Sequence, residues 1–189
     1  MQLILSSIMA GLCIGIGSAA YCACGTGIIG AILFAIGLIC ICVYGFHLYT
    51  GRIGYATKWS DAKNLTTMLA GNLIGAVLFG IIVHFASSDI AIVAEEVVLN
   101  KNNISIWVMF LRGILCGICV YLSVDFYKKT TKYIGILFLI PIFILCKWEH
   151  CIADLAYMGM GMIVMKPLNF LAVVAGNSIG ALAVNALKH

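Results

Sequence analysis

Charge is scarce in this sequence. Seven acidic and eleven basic side chains make up 10% of the 189 residues, too few to cover the surface of a water-soluble fold of this length. Proline is nearly absent as well, with Pro141 and Pro167 the two that occur, so long helices can run uninterrupted. No polar stretch is long enough to make a soluble domain, and the basic residues are scattered over separate short segments. That scatter excludes a nucleic-acid surface, which needs its Lys and Arg in a patch. The first apolar run, 3–24, lacks a basic leader and a clean small-residue cleavage site, so it reads as a retained helix rather than a signal peptide. The nine cysteines sit almost wholly inside apolar runs, without the spacing of a zinc site or of a secreted disulfide framework. They read as reduced packing residues, and no metal or cofactor is implied.

What the chain does have is apolar surface: 63% of its residues are hydrophobic and its mean hydropathy is +1.13. This is the composition of an all-α polytopic membrane protein forming a single domain over 1–189. Runs of about 20 apolar residues, the length needed to cross a bilayer, fall near 3–24, 28–49, 64–86, 106–126, 133–156 and 168–187. Six spans joined by short loops are expected. Arg52, Lys58 and Lys63 follow the second span, Lys128, Lys129 and Lys132 follow the fourth, and Lys188 follows the sixth. The opposite side carries Lys101 and Lys166, with Asp89, Glu95 and Glu96 nearby. By the positive-inside rule both termini then face the cytoplasm.

The sequence also repeats itself. Gly71-Asn72-Leu73-Ile74-Gly75-Ala76 in the third span returns as Gly176-Asn177-Ser178-Ile179-Gly180-Ala181 in the sixth. Three spans per unit make the halves, 1–86 and 106–189, inverted relative to each other, the arrangement of many transport proteins. The repeat matches span two with span five, and both hold polar interruptions. In span two it is Phe46-His47-Leu48-Tyr49-Thr50-Gly51, preceded by Gly37 and Gly45, which with Gly51 would let the helix break. In span five it is Lys147-Trp148-Glu149-His150-Cys151-Ile152-Ala153-Asp154, with four ionisable side chains besides its cysteine. Such groups cost several kcal/mol at membrane depth unless they pair or line a cavity; the alternative is a cap at the membrane surface that pairs with itself. Matched interruptions point to a permeation site between the halves. The repeat asparagines Asn72 and Asn177 read as helix-packing or loop-capping groups, and Arg112 as a snorkelling or intersubunit residue. A metal site from His47, His150 and Cys151 has no ligand spacing behind it, and His84 and His189 are assigned no role.

These motifs, with Gly30-Ala31-Ile32-Leu33-Phe34-Ala35-Ile36-Gly37-Leu38, Leu48-Tyr49-Thr50-Gly51, Gly113-Ile114-Leu115-Cys116 and Glu149-His150-Cys151-Ile152-Ala153, resemble the formate/nitrite transporter family, which includes hydrosulfide channels. The resemblance runs through nearly the whole chain. It implies a homopentamer of six-helix protomers, each an aquaporin-like bundle with its own pore, spans two and five being broken. It implies small monovalent anions and protons as permeants, in a prokaryotic inner membrane. By position, Phe34 and Leu38 resemble the cytoplasmic constriction and Leu48 and Phe143 the other apolar constriction. Thr50 resembles the hydroxyl that bonds the permeant, His150 the central pore histidine, Glu149 the adjacent carboxylate that orients local structure, and Lys101 the basic residue of a vestibule. Physics agrees: an apolar constriction stops a bare anion by its desolvation cost and lets its neutral acid through.

The departures are as specific. Gly117 stands where the family usually has Asn, implying a polar group missing near the pore. Asp154 stands in place of Asn, four residues after His150, where a helix would put it on the same face as the imidazole. Lys147 replaces a small residue, to pair with Glu149 or add positive field to the pore, and His47 is unusual. The chain is shorter than typical members at both ends. Without the resemblance, Lys101 in the polar run Asn100-Lys101-Asn102-Asn103 reads as a solvated loop charge. Within transport, the alternatives are a neutral small-solute channel or a non-conducting assembly partner of a full-length relative. An intramembrane acid–base catalyst built on Glu149, His150 and Asp154 lacks a nucleophile or metal set, and the chain reads as no enzyme.

Overall fold

The computed structural model describes residues 1–56, 58 and 60–188; His189 lies outside them. The described residues are helical, without strands. In chain order the helices are α1 (Gln2–Ala23), α2 (Ile28–Tyr44), α3 (Tyr49–Arg52) running into a single 3-10 turn (Ile53–Tyr55), α4 (Asp61–Ala86), α5 (Ser88–Asn102), α6 (Ile106–Thr130), α7 (Ile134–Leu145), α8 (Cys151–Gly161) and α9 (Pro167–Leu187). Four of them, α1, α4, α6 and α9, are long and apolar enough to cross a membrane, and α2 with α3 and its turn makes a fifth candidate, bent by 59°. In lipid a helix satisfies its own backbone, so apolar runs without proline fold this way. Large side chains such as Ile29, Leu78, Phe138 and Leu171 lie exposed, as lipid-facing surface does.

Close backbone approach replaces hydrophobic sorting as the packing force, since lipid is as apolar as leucine. Helix α1 packs on α4 and α6 on α9, each pair through matched glycines. A methyl group on Gly11 would sit 2.1 Å from the Asn72 carbonyl oxygen, and one on Gly75 would sit 2.0 Å from that of Ile8. In the other pair, Gly117 meets the Asn177 carbonyl at 2.3 Å and Gly180 that of Ile114 at 2.1 Å. The repeated Gly-Asn-x-Ile-Gly motif is therefore a packing device on its glycine face.

Its asparagines hold the two breaks. Asn72 accepts the Tyr49 N–H at 2.8 Å and donates to the carbonyls of Ser7 and His47 at 2.7 and 2.9 Å. Asn177 accepts the Cys151 N–H at 3.0 Å and donates to the carbonyls of Gly113 and Glu149 at 2.9 and 2.8 Å. Each asparagine thus ties the first residue after a break, the residue two before it, and a neighbouring helix. The loop-capping reading was right. The helices before the breaks end alike too: Gly45 and Lys147 are left-handed (φ 69° and 54°), and the next N–H, of Phe46 or Trp148, returns to the carbonyl of Ile41 or Phe143 at 3.0 or 2.9 Å, closing the C-terminus. Of the three span-two glycines, Gly45 makes the break. Gly37 packs inside α2 against the Cys13 carbonyl and Gly51 lies buried in α3.

The expectation of short loops fails once. Between the third and fourth spans lies α5, whose Ala91, Ala94 and Val98 are buried; their i, i+3, i+7 spacing marks one helical face. At the C-terminus, Lys188 pairs with Asp125 of α6, and that hydrogen bond holds its ammonium above the ordinary lysine value.

Two outcomes follow for thermal unfolding of the purified protein. Asn177→Ala strands a buried N–H and two carbonyls and lowers stability by about 3 kcal/mol, with Asn72→Ala doing the same. Lys147→Gly relieves a left-handed side chain and raises stability by about 1 kcal/mol.

Candidate functional site

Helix α2, helix α7 and the two breaks converge on a partition of buried apolar side chains. Phe34 and Phe143 meet edge to face with ring centroids 6.0 Å apart, and Leu38 and Leu48 line a cavity of about 100 Å³ that also reaches Arg52 and Lys128. This pairing corrects the expected one, in which Phe34 went with Leu38 and Leu48 with Phe143. Phe34 and Leu38 are one helical turn apart on α2, so they sit at successive levels, about 6 Å apart along the axis.

Thr50 and His150, both buried, form the polar contact beside this partition: Thr50 Oγ1 and His150 Nε2 are 2.9 Å apart. His150 is also the N-cap of α8, accepting the Ala153 N–H on Nδ1 at 3.2 Å. An amide can only donate, so Nδ1 carries a lone pair and the neutral ring bears its hydrogen on Nε2. The Nε2–H then donates to Thr50, whose own hydroxyl hydrogen is taken by no acceptor among the described residues. The Phe143 and His150 rings lie 6.0 Å apart, which brings the pair against the aromatic layer.

On the His150 side lies a larger chamber of about 270 Å³, lined among others by Phe143, Lys101, Glu149, Asp154 and Tyr157. Lys101 leaves the last turn of α5, donates to Asp154 Oδ1 at 2.6 Å and to Glu149 Oε2, and stands 5.3 Å from the centre of the Tyr157 ring. Its side chain is 15% exposed, so it is no solvated loop charge: α5 carries it inward to two buried carboxylates. Buried ions of this kind persist only when paired.

Three further expectations are corrected here. Asp154 does not pair with the imidazole, because His150 folds back over the first turn of α8 while the Asp154 carboxylate turns to Lys101. Lys147 does not pair with Glu149: it is exposed on the chamber wall, and Glu149 is met by Lys101 and by Arg112, the latter at 3.6 Å. Gly117 lies against the α9 backbone, where no side chain of any polarity fits. Arg112, read from the sequence as a snorkelling or intersubunit residue, has Glu149 as a partner within the chain; the signal for such a partner is an arginine inside an otherwise apolar span. His47 is bonded through Nδ1 to Ser6 at 2.8 Å, and no metal-binding cluster occurs among the described residues.

Comparison with known proteins bears on the fold and the family. The family model described as formate/nitrite transporter matches residues 1–189. The chain is 24% identical over 187 residues to the formate channel FocA of Haemophilus influenzae, covering 84% of this chain and 66% of that protein. It is 27% identical over 192 residues to the uncharacterized transporter YwcJ of Bacillus subtilis, covering 87% and 75%. Among solved structures, a pentameric formate channel with formate bound superposes at a TM-score of 0.83 with 20% identity, over 99% of this chain and 94% of that one. An FNT family ion channel superposes at 0.87 with 21% identity, over 99% and 88%. The fold is thus that of these channels, a multi-pass membrane bundle, and the chain belongs to the formate/nitrite transporter family.

Proposed function

We propose that the protein is a channel for small monovalent anions and their conjugate acids, with formate, nitrite and hydrosulfide as the candidates. The observation that carries this reading is the pair of cavities, of about 270 and 100 Å³ and without a shared lining residue, on either side of four buried apolar side chains with one hydroxyl–imidazole contact beside them. An anion enters the larger chamber, where Lys101 and Arg112 supply positive field. It loses its charge next to His150 and Thr50 and crosses between Phe34, Phe143, Leu38 and Leu48 as a neutral acid, which escapes the desolvation cost of the ion. The free hydroxyl hydrogen of Thr50 is placed to bond the permeant. Glu149 holds Lys101 and Arg112 in position, and Lys147 adds charge at the chamber wall.

The same reading makes 1–189 one channel domain of six spans, α2–α3 and α7–α8 being the broken ones, in two inverted units, 1–86 and 106–189. The matched bonding of Asn72 and Asn177 supports that symmetry. By the positive-inside rule, Arg52 and Lys128 favour the cytoplasmic side of a prokaryotic inner membrane for the smaller cavity and for both termini. The exposed apolar surface suits lipid and the neighbours of a homopentamer, each protomer keeping its own pore.

Proteoliposomes test this by swelling, or by internal pH change, on addition of formate, nitrite or hydrosulfide over a range of external pH. Flux is expected to rise as external pH falls, and His150→Ala to lower it by about ten-fold or more. If a verified pentamer passes none of the three, the family assignment stands and the transport reading fails. Uptake of an uncharged solute in their place, independent of salt, would make it a neutral-solute channel.

A further inference from the structure

The crossing needs a proton, and His150 is badly placed to give one. Its Nδ1 is engaged by Ala153 and its Nε2–H by Thr50. A second proton would have to displace the Ala153 N–H and put a positive charge at the N-terminus of α8, where the helix dipole already opposes cations.

Asp154 is placed differently. The residue is 0% exposed and lines the chamber, and while its Oδ1 accepts from Lys101, its Oδ2 has no partner among the described residues. A carboxylate with one buried oxygen left without a hydrogen-bond donor is unfavourable unless a proton or a ligand completes it. Glu149 takes the same ammonium and has Arg112 as a second cation, so of the two carboxylates Asp154 is the less well served. Helix α5 also brings Glu96, which is exposed, and the α7–α8 loop brings Lys147. With every one of these six groups ionised the chamber wall is neutral, and with Asp154 protonated it is positive by one.

The remaining titratable neighbours do not alter this balance. Helix α1 brings Tyr21 and Cys22, α6 brings Cys116, and α8 itself carries Cys151 and Tyr157; thiols and phenols are far weaker acids than a carboxyl. Helix α4 brings His84, bonded to the Met160 carbonyl at 2.8 Å near the far end of α8. Helix α9 contributes Asn177, which does not titrate.

We propose that Asp154 is the proton donor of this channel. Its protonated carboxyl leaves the chamber positive, which draws the anion in. The O–H bond on Asp154 then breaks as a new bond to hydrogen forms on the permeant, and the negative charge passes to the carboxylate, where Lys101 already stands. After the neutral acid has crossed, a hydronium ion arriving from the bulk solution on the side of entry gives its proton to Asp154 and leaves as water. The step is a proton exchange and needs no other reactant. It rests on the channel reading above.

The test compares the parent with Asp154→Asn and Asp154→Glu in proteoliposomes carrying a trapped pH dye, with formate as permeant. Infrared difference spectra of the same proteins are recorded against pH, with and without formate. In the parent, a protonated-carboxyl band is expected that formate addition depletes. Asp154→Asn should lack the band and take up formate with its proton about ten-fold more slowly or worse near neutral pH, the deficit shrinking in acid where formate protonates in bulk. Asp154→Glu should shift the band and keep the coupling, which decides the matter even if the amide variant fails to assemble. Parent-like flux in Asp154→Asn at every pH, or a band that neither substitution alters, overturns the donor role and leaves the channel standing. If the parent passes no formate, nitrite and hydrosulfide take its place as permeant, and a parent that passes none of the three sinks the channel reading and this proposal with it.

Discussion

An apolar solvent leaves no backbone polar group unattended, and the two breaks in this bundle exist because two asparagines attend to them. A helix interrupted inside lipid exposes N–H and C=O groups that water would otherwise bond, at a cost of several kcal/mol each. Asn72 and Asn177 each supply one acceptor and two donor bonds at the break, and a carboxamide is the one neutral side-chain type that offers two donor hydrogens beside an acceptor oxygen. The flanking glycines serve the same end. They bring α1 onto α4 and α6 onto α9 closely enough for the amide to reach a carbonyl on the adjacent helix. Packing and capping are thus one constraint, which is why glycine and asparagine recur together as a single motif.

The four long apolar helices and the bent pair of α2 and α3 were legible from residues because the physics behind them is local. An apolar run without proline has helix as its one outcome in lipid, and Gly45 announces the end of α2. The matched position between α7 and α8 carries no such mark: Lys147 adopts the same left-handed backbone without glycine's freedom, and only the repeat discloses it. Helix α5 stayed hidden because its buried face is narrow, Ala91, Ala94 and Val98, in a helix of 15 residues that is too short to read as a span.

The site was half legible for the same reason. His150 and Thr50 could be named from motif and repeat, since both sit at a break. The partners of Lys101 could not, because they lie 48 and 53 residues away and depend on the direction in which α5 runs. A lysine among asparagines looks solvated until a helix carries it under two carboxylates. Likewise the layering of Phe34 with Phe143, rather than with Leu38, follows from helical rise along α2 and from where α7 crosses it.

The geometry of the break also sets the chemistry beside it. His150 caps α8 through Nδ1, so the end of the interrupted helix dictates the tautomer of the ring. The tautomer in turn dictates that Thr50 receives a hydrogen bond from Nε2 and keeps its own hydrogen to offer. A histidine used as a cap is thereby a poor reservoir for a mobile proton, and on the proposed channel reading a bundle that spends this imidazole on backbone geometry has its acid elsewhere. Asp154, one turn into the same helix and facing the chamber, is where this chain has a carboxyl whose second oxygen the protein leaves unclaimed.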